Sequence, residues 1–368
     1  MISNRIKKIK ESPIRKIFSL AAKSPDNLIN LSIGQPHFPA PKNVKNALMD
    51  AIKKNKTGYT QTLGIESLRE KIKQKLAKEN NIKTNLDNII ITSGVSGGLF
   101  LSFASILDPG DEIVIPEPYF VLYEQLLNFL DIKIKFLETY NDDFQINPEK
   151  LEKLITKKTK AILLNSPNNP TGAVYDKSSL EKVIKIARKN NLFIISDEIY
   201  EKFDYQKKFF SPGSIYKKTI TLNGFGKSHA ITGLRIGFAV APKKIIQSMN
   251  NLQQYSFVCA PSVAQFGVDQ SFEVDLSLEL KEYQEKREYI IKNLKYDFII
   301  PDGAFYFFIK IPKGAKNFVN TLIKNKILAV PGEAFSYTKK KGEKYFRISY
   351  AVSFAELKKA ITILNKLK

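Results

Sequence analysis

Short apolar runs recur between residues 88 and 240, and stretches with helical spacing lie between several of them. This alternation is the feature that most constrains the fold. One such helical stretch, residues 178–190, carries apolar side chains about every 3.6 residues. Strands that alternate with helices predict an α/β architecture with a largely parallel sheet flanked by helices. The runs predict strands at residues 88–92, 112–116, 133–137, 161–165, 192–197, 219–223 and 235–240.

The pattern changes near residue 275, where a charged helix is followed by alternating apolar segments. This change predicts a second, smaller α+β domain after the large one. We expect the N-terminal segment to pack with the smaller domain. The expected divisions are residues 1–42 for the N-terminal segment, 43–274 for the large domain and 275–368 for the small C-terminal domain.

Polar and glycine residues follow the predicted strands at the points where the strands end. Ligands of an open parallel sheet bind in the crevice beyond the carboxyl ends of its strands. We therefore expect these segments to converge on one site. They are residues 92–94, 165–172, 196–197 and 223–227.

The formal net charge of +22 would suit a nucleic-acid partner. Only seven of the 58 basic residues are arginine, and the lysines are scattered through amphipathic segments. No arginine-rich arm or helix-turn-helix pattern accompanies them, so no nucleic-acid partner is expected. Most basic residues of this chain are lysine, and lysine cannot replace arginine where a site needs a planar, bidentate cation. The few arginines are therefore informative, and Arg235 and Arg347 are candidates for such a site.

Several features concern the cellular compartment. Cys259 is the one cysteine, which excludes an internal disulfide and favours a reducing compartment. The basic N-terminus has no apolar core typical of a signal peptide. The most apolar stretch, residues 89–107, is interrupted by serine and glycine, so no membrane span is expected. We expect a cytoplasmic protein, and His37 and His229 do not suggest a metal site.

The segment Gly226-Lys227, followed by Gly233-Leu234-Arg235-Ile236-Gly237, resembles the cofactor-lysine signature of class I/II aminotransferases. These enzymes have the fold-type I architecture of pyridoxal-phosphate (PLP) proteins, and aspartate aminotransferases are among them. Further segments resemble the family in the same order, so that the resemblance covers about residues 28–351. They are residues 30–36, 59–69, 107–112, 165–172, 196–200, 303–306, 331–335 and 346–350.

The resemblance implies roles for residues around the cofactor ring. Lys227 would hold PLP as a Schiff base and later move protons as a neutral amine, which requires a pKa well below the usual value of about 10.4. Asp197 would pair with the ring nitrogen, since a buried carboxylate needs a cationic partner. Tyr200 and Asn169 resemble residues that bond the ring oxygen, and Phe120 resembles one that stacks on the ring.

The resemblance also implies a site for the cofactor phosphate. Backbone N–H groups of Val95 and Ser96 would meet it at a helix N-terminus, and Arg235 would add a charged fork. Tyr59 resembles a tyrosine that reaches the phosphate of the neighbouring subunit, which implies a homodimer. Gly224 departs from the pattern, because many relatives carry a phosphate-binding serine there.

On the substrate side, Arg347 resembles the arginine that binds the α-carboxylate, and Asn169 is expected beside it. Gly34 would approach the substrate with its backbone, since it has no Cβ. Ser96 stands where some aspartate-using relatives carry a lysine, which leaves the donor open. No metal ligands are expected.

The implied activity is transfer of an amino group between an L-amino acid and a 2-oxo acid, such as 2-oxoglutarate, by a ping-pong mechanism. Aspartate is favoured as donor on family frequency, and alanine and aromatic amino acids remain open. Two alternatives remain: a PLP-dependent lyase or decarboxylase on the same fold, and a non-enzymatic nucleic-acid-binding or PLP-sensing protein.

Overall fold

The computed structural model describes residues 2–23, 28–312 and 314–368. Within them the strands are β1 (Ile29–Asn30), β2 (Ile89–Ser93), β3 (Glu112–Glu117), β4 (Lys133–Glu138), β5 (Thr159–Asn165), β6 (Phe193–Asp197), β7 (Thr219–Gly224), β8 (Ile236–Val240), β9 (Asp297–Phe298), β10 (Tyr306–Lys310), β11 (Ile327–Leu328), β12 (Val330–Pro331) and β13 (Tyr345–Ser349).

The α-helices of the same residues are α1 (Asn4–Lys7), α2 (Pro13–Lys23), α3 (Lys42–Lys53), α4 (Glu66–Glu79), α5 (Gly94–Ile106), α6 (Leu122–Phe129), α7 (Pro148–Leu154), α8 (Lys177–Lys189), α9 (Lys243–Ser256), α10 (Ser262–Asp269), α11 (Ser277–Asn293), α12 (Ala315–Lys324), α13 (Lys339–Gly342) and α14 (Phe354–Lys366). Among the residues described, no helix has both the length and the apolar character that crossing a membrane requires.

The main sheet has seven strands in the order β2-β8-β7-β6-β5-β3-β4. The neighbours from β7 to β4 pair in parallel, whereas β8 runs antiparallel to both β2 and β7. The predicted α/β fold with a mostly parallel, mixed sheet is confirmed, and each predicted apolar run overlaps one of these strands. Helices cover both faces, as the apolar strands require.

Successive residues of a strand point to opposite faces of the sheet and pack in different hydrophobic cores. Ile195 of β6 packs in the cluster that contains Leu101 and Phe103 of α5. Its neighbour Ile194 packs on the opposite face with Val183 of α8. The sheet is therefore held rigidly between two helical layers, and its carboxyl edge is a fixed platform for side chains.

The reversal of β8 shapes that edge. Gly224, in the last position of β7, pairs with Gly237, near the start of β8. The connection between the two strands therefore lies at the same edge as the ends of the parallel strands. Packing is tight there: a Cβ on Gly237 would lie 2.7 Å from the Val95 nitrogen, and one on Gly224 would lie 2.9 Å from the Ile236 oxygen.

A second sheet, in the order β12-β13-β10-β9, is antiparallel and belongs to the C-terminal part of the chain. Its core includes Phe307 and Ile348, together with Ile290 of α11 and Leu364 of α14. The N-terminal segment joins this part through β1, which pairs in parallel with β11. Ile17 of α2 is buried in the same core.

Candidate active site

One cavity of about 480 Å³ lies beyond the carboxyl ends of the main strands, with walls from both sheets and the N-terminal segment. Among the described residues, it collects every predicted site residue except Tyr59. Those in its wall are Gly34, Val95, Ser96, Phe120, Asn169, Asp197, Tyr200, Lys227, Arg235 and Arg347.

Lys227 lies in the connection between β7 and β8 and projects into this cavity. Its Nζ donates a hydrogen bond of 2.5 Å to the Gly34 oxygen. Burial and the charges of Arg347 and Arg235 together lower the pKa of Lys227 to about 8, against the opposing effect of Asp197. About a tenth of the amine is therefore neutral at pH 7 and about half at pH 8, and the neutral form is the one that a nucleophile requires.

Asp197 is the last residue of β6 and is almost completely buried. Its Oδ2 accepts a 2.7 Å hydrogen bond from the Tyr123 hydroxyl, and its Oδ1 accepts one of 3.3 Å from the Ile199 N–H. Burial raises the pKa of Asp197 to about 6, although both hydrogen bonds lower it. Such a buried carboxylate is well suited to a cationic ligand.

Arg347, on β13, is buried and forms the opposite wall. Its guanidinium donates to Asn169 Oδ1 at 2.8 Å and to the Ser32 oxygen. The Arg347 Cζ lies 4.6 Å from the ring centroid of Tyr306 and 4.7 Å from that of Phe335. No carboxylate is among these partners, and Nε has no partner among the described residues. The guanidinium is thus held in place by neutral groups, and its positive charge is available to bind an anion.

Tyr200 and Gly34 are fixed by the same tyrosine. The hydroxyls of Tyr200 and Tyr306 share a hydrogen bond of 2.8 Å. A Cβ on Gly34 would overlap the Tyr306 hydroxyl, so only glycine fits at that position. The sequence predicts glycine at position 34 because the substrate must approach its backbone. The close contact with Tyr306 is a second reason why a side chain is excluded there.

The N-terminus of α5 and Arg235 form an anion cradle. Gly94, the first residue of α5, has φ +65, and a Cβ there would lie 2.6 Å from Arg235 Nη2. Val95 and Ser96 follow in the first turn, where backbone N–H groups have no partner within the helix. Arg235 Nη1 donates to the Thr232 oxygen at 2.9 Å, which directs the guanidinium toward the cradle. N–H groups and a guanidinium together suit a phosphate.

Phe120 and Tyr59 differ in their placement. Phe120 lies in the cavity wall and packs edge-on against Tyr123, with ring centroids 5.7 Å apart. Tyr59 is 85% exposed and lies outside the cavity of its own chain. The structure therefore brings Phe120, but not Tyr59, to the site formed by this chain.

Several wall residues were not predicted individually. Tyr306 lies within a segment used for the resemblance, so its motif was a signal. Arg15 also lines the cavity, and the scarcity of arginine that singled out Arg235 and Arg347 applies equally to it. Tyr123 had no such signal, because its role depends on tertiary packing that brings its hydroxyl from α6 to Asp197 at the end of β6.

The fold, the buried lysine opposite a buried aspartate, the anion cradle and the arginine for a second anion together define a fold-type I aminotransferase. The family model for aminotransferase class I and II matches residues 26–364. The chain therefore belongs to the class I and II aminotransferase family, and it is an enzyme.

Similar proteins support the same class. A probable aspartate aminotransferase of Methanocaldococcus jannaschii is 40% identical, with 100% of both chains covered. Aromatic-amino-acid aminotransferase 2 of Thermococcus litoralis is 35% identical over 100% of this chain and 98% of its own. The structure of Thermus thermophilus aspartate aminotransferase with maleate has a TM-score of 0.95 at 30% identity, with 100% of both chains covered. These relatives give no support to the lyase alternative.

Proposed function

We propose that this aminotransferase binds PLP and transfers the amino group of an L-amino acid to a 2-oxo acid such as 2-oxoglutarate. The observation that carries the proposal is the meeting of Lys227, Asp197 and Arg235 in one cavity. These residues offer a partly neutral amine, a buried carboxylate and a phosphate-binding cation, which match the three recognisable parts of PLP: an aldehyde, a ring nitrogen and a phosphate.

The residues present fit this cofactor. Asp197 would pair with the protonated ring nitrogen, and Phe120 would stack on the ring. Arg235 and the N–H groups of Val95 and Ser96 would hold the phosphate. When bound, PLP supplies an electron sink that stabilises negative charge on the substrate.

The remaining residues act on substrate and protons. Tyr200 and Asn169 would hydrogen-bond the ring oxygen, and Asn169 also orients Arg347. Arg347 would bind the substrate α-carboxylate through a bidentate contact, beside the Gly34 backbone. With its amine free and neutral, Lys227 Nζ would accept the proton from the substrate Cα and pass it to C4′ of the cofactor, and in the other half of the ping-pong cycle it would move a proton in the reverse direction.

A panel of amino donors tests this function. The protein is supplied with PLP, 2-oxoglutarate and one donor at a time, and glutamate is measured. We expect aspartate to be used, with alanine and aromatic amino acids as further candidates, because several relatives carry the name aspartate aminotransferase and one carries the name aromatic-amino-acid aminotransferase. Absence of glutamate with every donor would refute the proposal.

We also propose a homodimer in which Tyr59 reaches the phosphate site of the partner. Tyr59 and Tyr255 are 85% and 91% exposed, and Phe257 is exposed nearby. The two segments adjoin, because Gln253 Nε2 donates to the Thr62 oxygen at 2.7 Å. A second copy of the chain would cover these aromatic rings. Sedimentation should show a dimer for the wild type and a shift toward monomer for Tyr255→Asp; a monomeric wild type would contradict this assembly.

The domain boundaries and the location remain proposals. We propose a large domain over residues 43–274, a small domain over residues 275–368, and an N-terminal segment, residues 1–42, that packs with the small domain. The separate sheets and the β1–β11 pairing support this division. We propose a cytoplasmic location, which the single cysteine favours.

A further inference from the structure

The cavity holds more positive charge than the proposed cofactor and α-carboxylate use. Among the described residues of its wall, Asp197 is the one acidic side chain. Lys227, Arg235 and Arg347 have roles in the proposed function, but two further cations have none. The basic side chains of the wall are Lys10, Arg15, Lys227, Arg235 and Arg347.

Arg15 is the more informative of the two additional cations. It lies in the first turn of α2, where its backbone N–H donates to Ser12 Oγ at 3.4 Å. Within the described residues, no carboxylate forms an ion pair with Arg15, whereas Lys8 on the same segment pairs with Asp131. The charge of Arg15 nevertheless reaches the catalytic lysine, because it contributes to the lowered pKa of Lys227.

The segment that carries Arg15 is anchored on both sides of the cavity. On one side, the backbone N–H of Lys10 donates to Gln125 Oε1 of α6 at 2.8 Å. On the other, Ile17 of α2 is buried in the C-terminal core. Arg15 lies between these two anchors, so its backbone is positioned before any ligand arrives, which lowers the entropic cost of binding.

We propose that Arg15 is a specificity-determining residue that binds the side-chain carboxylate of a dicarboxylic amino acid or 2-oxo acid. This inference rests on the proposed function. A substrate whose α-carboxylate contacts Arg347 and whose amino group lies near Lys227 must direct its side chain into the rest of the cavity, where Arg15 offers a planar fork for a second carboxylate. Lys10 adds to the positive potential there.

The test is the substrate preference of Arg15→Gln in the PLP-loaded enzyme. We expect the ratio of kcat/KM for aspartate or glutamate to kcat/KM for alanine or phenylalanine to fall about 10- to 100-fold, as for loss of a charged hydrogen bond. Arg15→Lys should recover part of the ratio. Lys16→Gln removes the same charge from the next position of α2, which does not line the cavity, and should leave the ratio unchanged.

Other outcomes would overturn the assignment. If the ratio is unchanged in Arg15→Gln, or if kcat/KM falls equally for all donors, Arg15 does not bind the side-chain carboxylate of the substrate. A loss confined to O-phosphoserine would indicate a phosphate site instead of a carboxylate site.

A binding measurement separates this inference from the proposed function. Maleate is titrated into PLP-loaded wild type and Arg15→Gln, with acetate as the monocarboxylate control, and the cofactor absorbance is followed. A weaker affinity for maleate alone in the variant supports Arg15 even if no donor yields glutamate. Equal maleate affinities would overturn the role of Arg15 even if transamination is observed.

Discussion

The Tyr123 hydroxyl donates a 2.7 Å hydrogen bond to Oδ2 of Asp197 in the interior of the protein. Burial raises the pKa of this carboxyl to about 6, and the bond from Tyr123 acts in the opposite direction. Tyr123 thus favours the charged form, which is the form that a protonated ring nitrogen requires. Tyr123 would thereby support the electron sink by acting through Asp197.

Tyr123→Phe should therefore weaken PLP binding in a pH-dependent way. Without the hydroxyl, the pKa of Asp197 rises, so the carboxylate is protonated at a higher pH as the solution is acidified. As the solution is acidified, the PLP affinity, measured by absorbance between pH 5 and 8, should therefore begin to fall at a higher pH in the variant than in the wild type. Tyr216→Phe is the control, because it removes a buried hydroxyl bonded to the Leu192 oxygen. Equal pH profiles for both variants would contradict the role of Tyr123.

Asp197→Asn should stabilise the cofactor-free protein at alkaline pH. The folded pKa of about 6 lies above the ordinary 3.8, so the folded state loses stability as pH rises from about 4 to 6. Two pKa units correspond to a gain of up to about 3 kcal/mol for the variant at pH 8, with little gain at pH 4. Urea unfolding at both pH values measures it. With PLP bound, the wild type should instead be the more stable protein at pH 8. A stability difference between the two proteins that does not change with pH would contradict this explanation.

The rate at which the cofactor-free protein captures PLP should rise with pH around pH 8. The lowered pKa of Lys227 makes the amine mostly neutral above that value, whereas the protonated amine dominates below it. Arg347→Gln removes a nearby cation, so the midpoint should move to higher pH. Stopped-flow absorbance from pH 6.5 to 10 measures the rate. The exposed Arg188→Gln serves as control and should keep the wild-type midpoint.

Lys227→Ala should abolish covalent cofactor binding and reduce turnover. Loss of the general acid–base group alone costs about 10²- to 10⁴-fold in rate. Glutamate formation should fall by at least this factor, and the absorbance of the covalently bound cofactor should be lost. Lys218→Ala removes a lysine that bonds Asn191 at the surface and should behave as the wild type. Turnover at the wild-type rate in Lys227→Ala would exclude this lysine from catalysis.

The sequence predicted the strands of the main sheet well, because each is a short apolar run between polar or glycine residues. It did not predict their spatial order or the reversal of β8, since an apolar run carries no direction. Only the resemblance led to the expectation that Arg235 and Lys227 serve one site, and both line the same cavity. In a fully parallel sheet, the start of β8 would lie at the opposite edge from the end of β7.

The parts of the site that were not predicted depend on contacts between distant segments. The packing of α6 against α5 and β4 lets Tyr123 reach Asp197 at the end of β6. Arg15 reaches the cavity because α2 is anchored in the C-terminal core. Neither residue has a spacing or a local pattern that marks it. Tertiary packing brought them to the cavity, and apolar periodicity reports only which face of an element is buried.

The reversal of β8 also has a consequence for the dynamics of the enzyme. Lys227 and Arg235 lie on the same short connection, so both ends of a bound cofactor are tied to one segment. A single local opening of residues 225–235 would release the two ends at once, whereas loosening of α5 or β6 alone would release only one contact. Backbone amides of this connection should thus exchange hydrogen as one unit, slowly with cofactor and faster without it.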